Sequence, residues 1–174
     1  MHLLSAAPAF TSAASAAKVV GQAFTFTVST RGTAPVAITS EDMPRWLTLT
    51  DNRNGTGTLA GKPPMAGVYP FRLAASNRSG TASQNFTLTA GSAPKIASES
   101  VVNLQVGKTQ SFQVTATGFP APTFAATGLP PWLGLSAGGR LTGTAPTSGT
   151  WYVTIAASNT FGTSRQQLTV KARR

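Results

Sequence analysis

Phe24, Phe26 and Val28 alternate with Thr25 and Thr27, and Gly107-Lys108-Thr109-Gln110-Ser111-Phe112-Gln113-Val114 stands as a second version of the same segment. Alternation with a period of two is the pattern of a strand that buries one face and wets the other. No window shows the three-and-four spacing of an amphipathic helix, and Gly and Pro punctuate the chain at intervals of about 8 to 12 positions. This pattern predicts an all-β sandwich.

The segment Gly67-Val68-Tyr69-Pro70-Phe71-Arg72-Leu73-Ala74-Ala75-Ser76-Asn77-Arg78-Ser79-Gly80 returns eighty-two positions later as Gly149-Thr150-Trp151-Tyr152-Val153-Thr154-Ile155-Ala156-Ala157-Ser158-Asn159-Thr160-Phe161-Gly162. A repeat of this length makes the 174 residues two copies of one small β domain. The expected organisation is an arm over residues 1–8, a first domain over 9–91 and a second over 92–174. Gly91-Ser92-Ala93-Pro94 joins them and is too short to let the domains swing freely. Ser83–Thr89 and Arg165–Val170 supply a closing strand in each copy.

Met43-Pro44-Arg45-Trp46-Leu47-Thr48-Leu49 aligns without a gap on Leu129-Pro130-Pro131-Trp132-Leu133-Gly134-Leu135. Proline fixes φ and removes a ladder donor, so each stretch reads as a turn feeding a short strand. Trp46 and Trp132 are the candidates for the central core residue of each domain, with Phe26, Phe112, Tyr69, Phe71, Leu73 and Ile155 around them. A sugar-stacking platform is the other role open to such a tryptophan. The following loop is longer in the first copy by about four residues, Thr50–Gly57 against Ser136–Arg140. Asn54-Gly55 predicts a tight hairpin with positive φ at both central residues. Asp51, Asn52, Arg53 and Asn54 are therefore expected to project as an extended, exposed tip.

Charge changes the picture. Fourteen Lys and Arg face four acids, giving a net charge of +10. Such a balance points either to diffuse solubilising charge or to an anionic neighbour. The cations are scattered singly over strands and loops, which weighs against nucleic acid. Cysteine is absent, so neither disulfides nor cysteine catalysis enter. No run approaches the roughly 18 apolar residues of a membrane span. Residues 1–7 lack the basic start and apolar length of a secretory leader. The expectation is either a piece of a longer exported protein or a protein that works without export by that route.

Catalytic inventories fail. His2 is the single histidine and stands in the arm, so neither a Ser-His-Asp set nor a histidine-rich metal site is available. Glu41-Asp42 is the one adjacent carboxylate pair, and neighbours on a strand face opposite ways. Asp51-Asn52-Arg53-Asn54-Gly55 has Arg53 where a calcium loop needs an oxygen ligand, and no bidentate glutamate follows at the required spacing. The expectation is no catalytic residue, no cofactor and no metal. The triplets at Asn54, Asn77 and Asn85 fit the glycosylation pattern but arise by chance in a chain this rich in Ser, Thr and Asn.

Met43-Pro44, Leu59 with Gly61 and Pro63, Gly67 with Tyr69, Ala75 with Asn77 and Gly80, and Phe86-Thr87-Leu88 form a recurring pattern. Its second appearance is Leu129-Pro130, Leu141 with Gly143 and Pro146, Gly149 with Tyr152, Ala157 with Asn159 and Gly162, and Leu168-Thr169-Val170. The pattern resembles a bacterial immunoglobulin-like (Ig-like, cadherin-like) sandwich module found in tandem on cell-surface and phage virion proteins. The resemblance covers nearly all of residues 8 to 171 and implies two tandem Ig-like β-sandwich domains. It does not carry over the calcium sites of cadherin-like relatives, because Glu41, Asp42, Asp51 and Glu99 all lie away from the linker. It implies a non-enzymatic structural or attachment protein on the exterior of a virion, with capsid or tail proteins as partners. The alternative is a repeat pair from a secreted or wall-anchored bacterial adhesin that meets anionic glycan or cell-wall polymer. Met1, Leu3 and Leu4 are the candidate docking arm.

Overall fold

The computed structural model describes residues 5–174, and among them the chain forms sixteen strands and no helix. It divides into two units, Met1–Gly91 and Ser92–Arg174. In the first, β1 (Ala9–Phe10), β3 (Phe24–Arg31), β6 (Thr56–Gly61) and β5 (Leu47–Asp51) make one antiparallel sheet in that order. The facing sheet runs β4 (Ala37–Glu41), β7 (Gly67–Asn77), β8 (Gly80–Ile96), and β2 (Ser15–Val19) lies parallel to β8. The lead-in chain thus pairs with the first sheet at Phe10↔Thr30 and then crosses to the second at Ser15↔Thr87. The crossing covers the free edge of β8, whose unpaired ladder groups would otherwise invite association.

The second unit repeats the plan. Strand β12 (Thr123–Thr127), β15 (Gly149–Asn159), β16 (Gly162–Arg173) and β9 (Val101–Gln105) form one sheet, with β9 parallel to β16. Strands β10 (Thr109–Gln113), β14 (Arg140–Thr144) and β13 (Leu133–Leu135) form the other. β11 (Ala116–Phe119) pairs with the last residues of β8, from Ser92 to Ile96. The strand that is continuous as β3 in the first unit is broken into β10 and β11 here. The break falls at Val114, whose N–H donates to the Gly139 carbonyl at 2.8 Å.

Period-two alternation places one side of every long strand inside. Val28, Leu59, Leu73, Phe86 and Leu88 are fully enclosed in the first unit, and Val153, Ile155, Leu168 and Val170 play the same part in the second. Each such side chain contributes on the order of 1.5–3 kcal/mol relative to exposure. Phe71 is buried as well, while Phe26, Phe112 and Tyr69 are partly buried against these clusters.

The tryptophans occupy a different place from the one expected. Trp46 and Trp132 stand at the margin of each core, half-buried, and the interior position belongs to Leu47 and Leu133. The cause is the turn at Pro44 and Pro130, whose carbonyls accept from the N–H groups of Leu47 (2.9 Å) and Leu133 (3.0 Å). The strand starts at the leucine, so Leu47 faces inward and the residue before it cannot. Each indole instead meets a second aromatic edge-on: Trp46 with Tyr69 at 5.1 Å between ring centroids, and Trp132 with Trp151 at 5.0 Å. Tyr69 is tied down by its hydroxyl, which donates to the Met65 carbonyl at 2.8 Å.

This arrangement explains the glycine in Leu-x-Gly. A Cβ at Gly61 would overlap the Trp46 carbonyl oxygen, and one at Gly143 would overlap that of Trp132. Backbone, unlike a flexible side chain, cannot give way cheaply. Gly61→Ala is therefore expected to lower the stability of the first unit by about 1–3 kcal/mol through overpacking. Urea unfolding followed by circular dichroism reads this out; an unchanged midpoint would mean that the turn moves aside at no cost.

Candidate functional site

The side chains that the two copies share most closely are those of Asn77 and Asn159, at the ends of β7 and β15. The Asn77 amide donates both protons, to the Ala6 carbonyl at 2.8 Å and the Thr33 carbonyl at 2.9 Å. Its Oδ1 accepts from the Ser79 N–H at 2.8 Å and so shapes the turn into β8. Asn159 repeats the arrangement, donating to Ser92 and Pro120 at 2.9 Å each and accepting from Phe161 at 2.8 Å. One amide therefore joins three segments: the lead-in chain, the turn after β3 or β11, and the β7–β8 or β15–β16 hairpin. The lead-in comes close enough that a Cβ on Gly32 would stand 3.0 Å from the Pro8 Cα, and one on Gly118 at 3.0 Å from the Pro94 Cα. Both glycines also hold positive φ, 143° and 133°, which side chains rarely tolerate. The glycosylation triplet at Asn77 is thus spoken for, since its amide nitrogen is already engaged twice.

The expected tip is built differently from the expected two-residue turn. β5 and β6 are joined by four residues, Asn52–Gly55, and the left-handed positions are Arg53 (φ 61°) and Gly55 (φ 83°), not Asn54. The reason is Asp51, whose Oδ1 accepts from the Arg53 N–H at 2.8 Å and bends the chain there. Asn54 instead accepts from Thr56, at 3.1 Å from its N–H and 2.6 Å from its hydroxyl. The β13–β14 connection also has four residues, 136–139. The extra length of the first copy lies in the strands: Leu49↔Leu59 matches Leu135↔Leu141, and the first unit then adds Thr50↔Thr58 and Asp51↔Gly57. Asn52, Arg53 and Asn54 are exposed, whereas Asp51 is partly buried.

Asp51 has a second task. Its Oδ2 accepts from the Ile38 N–H on β4 at 3.2 Å, linking the hairpin of one sheet to the edge strand of the other. In the second unit the shorter hairpin brings the Ala137 carbonyl to the equivalent Phe124 N–H at 2.9 Å. A carboxylate in one copy and a backbone carbonyl in the other satisfy the same orphan donor. The signal available in the sequence was the Asp at the end of Leu-Thr-Leu-Thr-Asp; what it binds depends on a cross-sheet contact that no local pattern encodes.

The remaining candidates do not converge. Glu41 ends β4 opposite Arg72, Asp42 occupies a left-handed turn (φ 58°), and both are exposed, as is Glu99. Among the described residues no three His, Asp or Glu side chains come together in a way that would hold a metal ion. No helix among them is long and apolar enough to cross a membrane. Met1, Leu3 and Leu4 lie outside the described residues. Just after them, Ala6 donates its N–H to Thr33 Oγ1 at 2.8 Å, and Pro8 is buried. Chemically, the polar groups that the two copies share act as internal fasteners, and the outward surface is polar and basic.

Comparison with known proteins places this geometry. A family described as "Putative Ig domain" matches residues 7–91 and again 93–173. Among solved structures, immunoglobulin domains 1–4 of Sidekick-1 superpose with a TM-score of 0.65 at 17% identity, over 99% of this chain and 50% of that one. The titin I-band fragment I67–I69 gives 0.59 at 18% identity, over 96% of this chain and 66% of that one. The chain therefore spans about two-thirds of the titin fragment and half of the Sidekick-1 fragment. At these identities the likeness is one of fold. No curated protein matches in sequence.

Removing the fastener should loosen one unit. Asn77→Ala deletes three hydrogen bonds and takes the side-chain donor from the Thr33 carbonyl, while the Ala6 carbonyl keeps the Thr33 N–H at 3.0 Å, so a loss of about 1–3 kcal/mol is expected. Asp51→Ala removes two bonds, one across the sheets from the Ile38 N–H and one within the hairpin from the Arg53 N–H, and should cost less, about 0.5–1.5 kcal/mol. Paired urea titrations of the two variants check the order, and an Asp51→Ala loss exceeding that of Asn77→Ala would contradict it.

Proposed function

Since the chain belongs, over both halves, to the immunoglobulin-like family that matches it, we propose that it is a non-enzymatic attachment protein whose two Ig-like units decorate the exterior of a virion, on a phage capsid or tail. The observation that supports this is the use to which its recurring polar residues are put. Asn77 and Asn159 spend their hydrogen-bonding capacity on backbone within each unit. What is left for the outside is a sheet surface of Thr, Ser, Asn and Gln with scattered cations, suited to contact over an area. Capsid or tail proteins are the partners in this reading, and Met1, Leu3 and Leu4, ahead of the first strand, supply the docking arm. A second reading, a repeat pair of a secreted or wall-anchored adhesin, is favoured by the basic sheet of the second unit, since strands β9, β12, β15 and β16 carry Arg165, Lys171 and Arg173 but no acid.

Immunogold labelling of the native source separates the two. Gold on particles is the expected result; gold on cell walls selects the adhesin reading, and diffuse label in the cytosol overturns both. Deletion of residues 1–4 is expected to abolish co-sedimentation with particles while leaving the unfolding midpoint unchanged, because the backbone fastening begins at Ala6. Retained co-sedimentation would remove the arm from the proposal.

A further inference from the structure

The outer face of the β12-β15-β16-β9 sheet differs from its counterpart in the first unit. Register puts Tyr152 opposite Thr169 and Thr169 opposite Val101. Tyr152 is 64% exposed and Val101 37%, so two of the four large apolar side chains left in water among the described residues share a single cross-strand row. Lys171 stands in the row to one side, between Thr150 and Asn103; Gln167 stands in the row to the other, beside Thr154. Arg165 lies one row beyond Gln167, at a shallow depression floored by Ala125 and Ala156. Arg173 closes the opposite end of the same strand.

Folding does not require these side chains. The equivalent positions of the first unit hold Pro70, Ser83, Thr89 and Gly91 in place of Tyr152, Arg165, Lys171 and Arg173, and the same sheet forms. The four strands of the second face carry no Asp or Glu, and Glu99, the one acid of that unit, sits in the loop before β9. Along β16 the cations are spread over about 26 Å at roughly 3.3 Å per residue, which suits an extended polymer better than a single small ion.

We infer that this face binds an acidic, uronate-bearing polysaccharide chain. A sugar ring lies with its apolar side on Tyr152, with Val101 alongside. Carboxylates along the polymer reach Lys171, Arg165 and Arg173. Gln167 and Asn103 offer both donors and acceptors to hydroxyls. The face is open rather than grooved, whereas an acidic peptide would be held by a sheet edge or a groove. A single-stranded nucleic acid would want several stacked aromatics, and here there is one. The inference rests on the attachment reading in either of its versions and gives that surface a ligand class.

The test uses the full chain and polygalacturonate, with isothermal titration at physiological ionic strength. Its fully methyl-esterified form and oligodeoxythymidylate serve as comparators. Tyr152→Ala is expected to weaken binding about fivefold. Arg165→Gln with Lys171→Gln should weaken it about tenfold, and methyl esterification should remove most of it. Arg31→Gln with Arg78→Gln, an equal charge loss on the first unit, should change it by less than about twofold. The substituted positions are exposed, apart from the half-buried Lys171, and thermal melts of each variant establish that it is folded. Absence of binding to polygalacturonate, equal effects of the two double variants, an unaffected Tyr152→Ala, or tighter binding of the oligonucleotide would each overturn the inference. Any of these leaves the attachment reading standing, since that one is decided by the labelling of particles and cells.

Discussion

An amide held between two carbonyls decides how each sandwich closes. Before it pairs with the first sheet the lead-in chain passes the turn after β3, and the end of β7 meets both at that point. In the first unit Asn77 donates to Ala6, whose carbonyl also accepts from the Thr33 N–H, and to Thr33; in the second Asn159 donates to Ser92 and Pro120. In the second unit these bonds are half-buried, and there a carbonyl left without a donor would cost more than the bond itself contributes. The same residue uses its oxygen to set the hairpin that follows, so closure of the edge and formation of the turn are tied together. The Ala-x-Asn-x-x-Gly spacing is the trace of this geometry in the sequence: a small residue packed inside, the fastener two positions on, and glycine where the returning strand passes the lead-in chain.

Much of this was legible and some of it was not, for reasons that differ from residue to residue. The strand positions follow from period-two alternation, which is why Phe71, Leu73 and Ile155 read correctly as interior. At Trp46 and Trp132 register outweighs size. Once the proline turn ends, Leu47 and Leu133 take the inward direction and the preceding indole is left at the rim. Asn54-Gly55 misled because a dipeptide preference was outweighed by a single carboxylate, Asp51, that draws Arg53 into the left-handed region. Copy length alone could not distinguish a longer loop from longer strands, since only the pairing Thr50↔Thr58 and Asp51↔Gly57 shows which it is.

The basic face is the opposite case. Arg165, Lys171 and Arg173 are all odd-numbered residues of one strand, so the same alternation that located the core also assigns them to a common side. Read one at a time they look scattered; read with the strand period they form a row. The copies then act as a control for each other, because a position filled by Tyr152 in one and Pro70 in the other cannot be a demand of the fold.

Strand pairing also restricts how the β5–β6 hairpin can vary. One added pair at the tip would leave Leu49↔Leu59 in place but turn the connecting loop to the other side of the sheet, whereas two added pairs return the loop to the same side. Length at this end of the sandwich is therefore quantised, with four residues as the smallest silent step. The two units differ here by one such step, so each tip can extend to its own length from an unaltered core.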